Sequence, residues 1–389
     1  MINGKSQTGS RLKVSIIEPI GGHSGMDYYD FGLCAGLQQA GIEPTLYTCD
    51  ETTVDPRYTF RVIPAYKNIF GAKAKWLRGI KYIAATSYAL LQSRLAGTRI
   101  CHFHFFQTGI RECVKIILAK IFRMQIVITA HDVESFATTV SIPAITRFCY
   151  KPAHRIIAHN RWTRDELVRC MGINQSKITI IPHGNYIDFI GRLPGKTKAR
   201  DKLNIAHNRK VILFFGRIKQ VKGLDLLLTA LPDVIKSHPD VMLLIAGRVW
   251  KDDYSTYSRI IKQNHLQPYC REDIRYIPNS KVGLYYDAAD LVVLPYRRIY
   301  QSGVLLMAMS YGKAVLASDL EGMREIVKDN ESGFLFQCGN VKSLTDSLVR
   351  ILADKKMLEH AAVNGKKYVK KEFHWQRIGR LTAECYSKL

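Results

Sequence analysis

The sequence contains no apolar run of the about 18 residues that a membrane-spanning helix needs. Its opening stretch, MINGKSQTGSRLKVSIIEPIGG, has no apolar core of signal-peptide length before the first strand, which predicts a chain without a leader. There is no C-x-x-C pair among its 9 Cys. Scattered single cysteines predict free thiols in a reducing, cytoplasmic compartment, with neither a disulfide frame nor a zinc site. Acidic residues are scarce: 33 Asp plus Glu stand against 57 Lys plus Arg, a formal net charge of +24. That imbalance implies an anionic partner, which can be nucleic acid, an acidic membrane or a phosphorylated substrate. No zinc-finger, helix-turn-helix or RNP-like signature is present, so the expected partners do not include nucleic acid. Nor is there a repeat of fixed period or a low-complexity tract. What is present is ordinary for a globular protein: 47% hydrophobic and 23% charged residues over 389 positions, enough for two or three domains.

The positive charge is unevenly spread. Residues 1–50 carry 3 basic and 5 acidic side chains, whereas residues 51–200 carry 24 and 8. The densest stretch is residues 67–91, where Lys67, Lys73, Lys75, Arg78 and Lys81 alternate with Ile69, Phe70, Trp76, Leu77, Ile80 and Ile83. Residues 111–124 repeat the theme with Lys115, Lys120 and Arg123 beside Ile117, Phe122 and Met124. Cations next to Trp and Phe at helical spacing suit a helix lying on an anionic membrane. They equally suit an amphipathic helix with its apolar face turned inward.

Short apolar runs alternate with helical periods. Strands are expected at 12–20, PTLYTC, 99–106, 124–132, 155–160 and 178–184. The pattern restarts with strands at 210–217, 240–247, DIRYIPN (273–279), 290–297, 313–318 and GFLF. Strands separated by helices predict parallel, doubly wound α/β sheets. The expected division is an N-terminal domain over 1–190, a polar, basic linker over 191–208, a C-terminal domain over 209–370 and a closing helix over 371–389. In such sheets ligands bind beyond the carboxyl ends of the strands, so the loops that follow strands carry the chemistry.

Three loops stand out. Gly21-Gly22-His23-Ser24-Gly25 follows the first strand and could admit an anion to backbone N–H groups, or serve only as a tight turn. The spacing is not G-x-G-x-x-G, so a dinucleotide site is not supported. Arg217 ends a buried strand and Lys222 follows just before Gly223-Leu224-Asp225 opens a helix. Two cations at such a corner suit a diphosphate. Ser302-Gly303 opens a small-residue helix whose free N–H groups would again face an anion. Outside these loops, His102 and His104 alternate on one strand and face one side, as a metal pair or as core or site-lining residues. Asp132 can orient His131 or cap a helix. Asp27 stands at a helix start where it could touch an acceptor hydroxyl or merely favour the helix.

The ordered motifs GRIKQVKGLDLLLTAL, LLIAGR, DAADLVVLPY, YGK at 311–313, ASDLEGMREIV and ESGFLF resemble the C-terminal domain of GT-B glycosyltransferases, specifically glycosyltransferase family 4. The Gly-Gly loop, ITAHD and IIPHG are similar to its N-terminal domain, and His374-Trp375 to its closing helix. The resemblance implies two Rossmann-like domains facing a central cleft. It implies that Arg217 and Lys222 hold the donor diphosphate and stabilise the leaving group in place of a metal. By the same likeness Gly21 and Gly22 close on the donor phosphates, and His131 lies near the transferred sugar. Ser302, Gly303 and Val304 offer backbone donors, and Pro278 lies where the base rests. His104 and Asp27 are the acceptor-side candidates. No cofactor or metal is implied beyond the nucleotide-sugar donor.

One departure matters. The family's two glutamates fall at Ile299 and Met307 in this sequence, and neither is acidic. Methionine accepts no useful hydrogen bond from a ribose hydroxyl. Gln301 is the nearest polar substitute. The leading expectation is a hexosyltransferase working on a glycan or lipid-diphosphate acceptor at the inner membrane face, peripheral on that membrane through residues 51–200, with retention of configuration. Three other readings stay open: a non-catalytic scaffold of the same fold, a nucleic-acid-associated protein suggested by charge alone, and an inverting enzyme.

Overall fold

Buried β-branched runs and amphipathic segments alternate along the chain and build two parallel sheets, each in its own unit. The computed structural model describes residues 11–389 apart from 24, 72–73, 133–142 and 251, so Ser24 and Lys73 lie outside the described residues.

The first unit comprises residues 1–184 and 375–389. Its elements are β1 (Lys13–Ile17), α1 (Met26–Gln39), β2 (Glu43–Cys49), β3 (Arg61–Tyr66), α2 (Lys75–Leu95), β4 (Ile100–Phe105), α3 (Ile110–Ile121), β5 (Gln125–Ala130), α4 (Pro143–Tyr150), β6 (Arg155–Ala158), α5 (Arg161–Met171) and β7 (Ile178–Ile180). The sheet order is β3-β2-β1-β4-β5-β6-β7. Every residue of β4 is buried, as expected of a central strand covered on both faces.

The second unit comprises residues 185–374. It holds α6 (Lys196–Lys202), β8 (Lys210–Phe215), α7 (Leu224–Ser237), β9 (Val241–Ala246), α8 (Ser255–Gln263), β10 (Cys270–Asp273), α9 (Asn279–Ala288), β11 (Leu291–Leu294), α10 (Gly303–Ser310), β12 (Ala314–Ser318), α11 (Glu321–Arg324), β13 (Phe334–Phe336), α12 (Val341–Ala353) and α13 (Lys355–Glu372). Its sheet runs β10-β9-β8-β11-β12-β13. Leu227, Leu231 and Val234 of α7 pack with Leu344 and Leu348 of α12 over Ile212 and Leu243. Asn340 and Asp354 cap α12 and α13 through the N–H groups of Ser343 and Met357, each cap contributing about 1 kcal/mol.

The last helix, α14 (Trp375–Tyr386), belongs to the first unit. It lies against α1 so closely that a β-carbon on Gly36 would stand 2.1 Å from the Trp375 carbonyl oxygen. A β-carbon on Gly379 would meet the Gly36 carbonyl carbon at 2.0 Å. Glycine on both helices is what lets the backbones touch.

Four expectations are corrected. The units part at 184/185, not at 190. The physical reason is that Trp375 packs on Gly184, while Asn185 gives its backbone N–H to the Phe373 carbonyl and its side-chain amide to the Val369 carbonyl. Residues 191–208 are not a linker. They contain α6, whose Arg200 is 2% exposed and donates to the Ala288 carbonyl at 3.1 Å and to Asp290 at 2.8 Å. The closing helix starts at Trp375, four residues after the expected 371, because α13 continues to Glu372. The strand expected at 273–279 is instead β10, ending at Asp273 and paired with β9 from Cys270↔Leu243 to Asp273↔Ala246.

Candidate functional site

In the second unit, the candidate residues sit where β8, β9 and β11 end. β8 closes on Gly216, whose φ of 106° is left-handed. A β-carbon on Gly247, beyond β9, would stand 1.7 Å from the Gly216 carbonyl oxygen, so these two strand ends touch backbone to backbone. Gly223 opens α7 with φ 67°, and a β-carbon there would lie 1.9 Å from the Pro295 carbonyl oxygen. Both close approaches require glycine.

This corner places the two cations on aromatic faces. The Arg217 guanidinium lies 4.7 Å from the Trp250 ring centroid, and Lys222 Nζ lies 3.6 Å from that of Tyr296. Burial, with Arg248 as a second cause, lowers the Arg217 pKa from its usual value. A guanidinium so placed gains from an incoming anion. The turn carrying Lys222 is tied down by Arg297, which donates from Nη1 and Nη2 to the two Asp225 oxygens at 2.7 and 2.6 Å and from Nη1 to the Gln220 carbonyl at 3.0 Å. Arg297 is therefore engaged by Asp225 and acts on the turn rather than as a third clamp cation.

The start of α10 joins this corner. Val304 packs beside Gly216, 3.3 Å from where a β-carbon would be. Ser302 accepts the Leu305 N–H at 3.2 Å, so its hydroxyl caps the helix. A β-carbon on Gly303 would lie 2.7 Å from the Tyr186 hydroxyl, so Tyr186 packs against the first turn of this helix. Gln301 and Met307 are half-buried, before and within α10. Pro278 is exposed at the start of α9, at the same carboxyl end of the sheet.

The remaining candidates lie in the first unit, at the carboxyl end of its own sheet. Gly21 has φ 53° and is pressed onto the end of β2, where a β-carbon would come within 2.2 Å of Thr52 Oγ1. The Gly22 N–H donates to Thr52 Oγ1 at 3.1 Å. Steric need thus accounts for this glycine pair, and one of its N–H groups is already used. Asp27 accepts from the Tyr28 N–H at 3.1 Å, and burial raises its pKa.

His104 is buried, with Nδ1 3.5 Å from Asp30 Oδ1 and 3.8 Å from Glu18 Oε2. Burial lifts the Glu18 carboxyl to about 7, raises that of Asp30 and lowers His104. His102 is a core residue: its ring nitrogens meet the hydroxyls of Tyr386 and Thr129, each at 2.7 Å. Among the described residues, no group of three His, Cys, Asp or Glu could hold a metal ion.

His131 follows β5, stacked on Phe106 at 4.3 Å and 13°. His159 Nδ1 lies 3.0 Å from the Ile181 carbonyl, which can only accept, so Nδ1 carries the proton. Burial keeps His159 neutral by holding its pKa near 3, so its Nε2 is a lone pair. His131 Nδ1, at 3.3 Å, must donate to it. Burial also holds His131 neutral. His131 Nε2 is then a bare acceptor, and it has no hydrogen-bond partner among the described residues. His159 does not figure among the sequence candidates. The signal was there: FHF, TAHD, AHN and PHG place a histidine at the end of each strand from β4 to β7, and parallel strands bring such residues together.

Two family models match. Glycosyltransferase Family 4 covers residues 24–188, and Glycosyl transferases group 1 covers residues 195–368. The chain belongs to the group 1 glycosyltransferases. An uncharacterized glycosyltransferase of Methanocaldococcus jannaschii is 24% identical over 385 residues, with 91% of this chain and 92% of that one covered. A lipopolysaccharide core biosynthesis mannosyltransferase of Rhizobium meliloti is 26% identical over 216 residues, covering 54% of this chain and 61% of its own length. Another of the curated relatives is matched over only 52% of its length. Among solved structures, HepE of Anabaena in complex with UDP superposes with a TM-score of 0.76 at 19% identity, covering 97% of this chain and all of that one. The glycosyltransferase therefore has the GT-B fold, with two Rossmann-like domains.

Proposed function

We propose that this glycosyltransferase moves a hexose from a nucleoside diphospho-sugar to a glycan or lipid-linked acceptor at the cytoplasmic face of a membrane, without a metal and with retention of configuration. The observation that carries the reading is the Arg217–Lys222 corner at the end of β8. Two cations beside the α7 and α10 N-termini match the charge of a departing nucleoside diphosphate. A fixed cation pair supplies the charge neutralisation that a divalent ion supplies elsewhere. UDP bound to HepE, and the mannosyl transfer named for the Rhizobium relative, are consistent with a nucleotide-sugar donor and a lipid-borne glycan acceptor. In this reading His131 Nε2 accepts a hydroxyl of the transferred sugar, Gly21 and Gly22 close over the donor, and Asp27 and His104 line the acceptor side. Met307 leaves the ribose to other contacts, with Gln301 the polar group offered.

The test is thermal stabilisation by UDP, GDP and ADP sugars. A ligand at 100 times its dissociation constant adds about 2.7 kcal/mol. The expected result is a shift with one nucleotide series that Arg217→Ala and Lys222→Ala abolish. A shift that both variants retain, or no shift with any series in the presence of acceptor lipid, overturns the reading in favour of a scaffold.

A further inference from the structure

Two neighbouring helices of the first unit turn apolar stripes outward. On α2, Trp76, Ile80, Ile83, Leu91 and Leu95 follow one another at helical spacing and are exposed, Trp76 by 67% and Leu95 by 78%. The opposite side of α2, with Tyr82, Ala85, Ala89 and Leu90, is the buried one. On α3, Ile110, Ile117 and Ile121 sit at i, i+7 and i+11, and Ile110 is 79% exposed. The side of α3 that faces inward carries Lys115, Ile116 and Ala119. Arg111 of α3 lies across the Tyr82 ring of α2 at 5.8 Å, joining the two helices. Of the 15 exposed large hydrophobic residues described, nine lie on these two helices, so the pattern is not the scatter normal on a soluble surface.

The charge around the stripes selects the occupant. Residues 67–124 hold 11 basic side chains and one acidic one, Glu112. Lys67, Lys75, Arg111, Lys120 and Arg123 are exposed around the apolar rows. A second copy docking through the same face would set cations against cations. A surface with an apolar interior and anionic headgroups satisfies both features: the isoleucines and Trp76 enter the acyl boundary while lysines and arginines reach the phosphates.

We propose that the outward faces of α2 and α3 are a docking surface for an anionic lipid bilayer. This rests on the membrane-side part of the function proposed above and names where the contact is made. Lys115 takes no part, because it is buried 5.2 Å from the Phe105 ring.

The test is co-sedimentation of the full chain with phosphatidylcholine vesicles, with and without phosphatidylglycerol. Binding is expected only with the anionic lipid, weakening as salt rises, with a blue shift of emission that Trp76→Phe removes. Ile80→Glu combined with Ile117→Glu is expected to weaken binding by at least about tenfold. Since both positions are exposed, the variant should keep the wild-type melting temperature. Lys75→Gln with Lys120→Gln and Arg123→Gln should weaken it by a similar factor and flatten the salt dependence. Nucleotide-induced stabilisation, measured in parallel, should be unchanged in all of these, which separates failure of this surface from failure of the donor site. Binding that the glutamate variants retain, equal binding to neutral vesicles, or a dimer that Ile80→Glu dissociates would each overturn the proposal.

Discussion

His159 Nε2 accepts from His131 Nδ1 at 3.3 Å, and this contact fixes which nitrogen of His131 is left without a hydrogen-bond partner among the described residues. His159 is a positioning residue here, acting through His131. Replacing it with phenylalanine releases the His131 tautomer and removes two hydrogen bonds, to His131 and to the Ile181 carbonyl, each worth about 1 kcal/mol. The expected outcome is a fall in kcat on the order of tenfold with the donor KM nearly unchanged. Nitrogen-15 shifts of His131 should report a bare Nε2 in the wild type and mixed tautomers in the variant. A wild-type ring protonated at Nε2 would contradict the assignment.

Arg297 and Asp225 hold the turn that presents Lys222. The pair is partly exposed, so its stability contribution is small, about 0–1 kcal/mol. Its effect should appear in binding instead. Asp225→Ala is expected to weaken nucleoside-diphosphate binding severalfold while moving the melting temperature little. Arg217→Ala removes a direct charge-assisted contact of about 1.5–3 kcal/mol and should cost roughly ten- to a hundredfold in affinity. Titration calorimetry with the nucleoside diphosphate checks both. Equal losses in the two variants would remove the distinction between clamp and support.

The sheets were legible because parallel strands covered on both faces read as apolar runs, and the Arg217–Lys222 corner stood out because the motifs of the second unit follow strands. The misses have common physical causes. β3, with Pro64 and a half-exposed pattern, and β10, with Arg271 and Glu272, are edge strands. Edge strands carry little apolar signal. The apolar residues Ile274 and Ile277 drew the expected strand past its end. The charges of α6 suggest solvent and hence a linker, and only tertiary structure reveals Arg200 inserted beside Asp290. The histidine relay depends on contacts between strands far apart in sequence, which spacing along the chain does not encode.

Arg200 tests the reassignment of residues 191–208. Its guanidinium is buried on Asp290, which also accepts the Val211 N–H at 2.7 Å and pairs with Lys196. Arg200→Met leaves the Ala288 and His207 carbonyls without their donor. The expected loss is about 3 kcal/mol in urea unfolding, the lower part of the range for breaking a buried pair, because Lys196 remains on Asp290. A true linker would lose less than about 0.5 kcal/mol.

Gly36 tests the seam between α1 and α14. Alanine there would place its methyl 2.1 Å from the Trp375 carbonyl oxygen, and backbone cannot move aside as a flexible side chain can. Overpacking of this kind costs about 1–3 kcal/mol or more. Thermal melting should show a clear drop for Gly36→Ala and a smaller one for Gly41→Ala, since nothing lies within 4 Å of that position. Its φ of 80° adds only the ordinary cost of a left-handed residue, about 1 kcal/mol. A larger loss at Gly41 than at Gly36 would contradict the close packing.

The buried histidines make the stability of the fold depend on pH. His102 and His159 are held near 3 and His183 near 4 by burial, with His104 and His131 also lowered. Unfolded, each takes up a proton near 6.5. Between about 6.5 and 4 the unfolded chain therefore binds more protons through these groups, and the stability they leave intact above 6.5 is lost as pH falls. Glu18, lifted to about 7, and Asp30, also raised, act in the opposite sense. They favour the fold below the ordinary carboxylate range and lose that contribution as pH rises through about 7. Five histidines outweigh two carboxyls, so the melting temperature should fall as pH drops from 7 to 5. Replacing His102 with glutamine, which can keep bonds to Tyr386 and Thr129, should make that fall shallower. A melting temperature that is flat or rises toward pH 5 would mean that these rings carry protons in the folded protein, and the neutral relay from His159 to His131 would go with it.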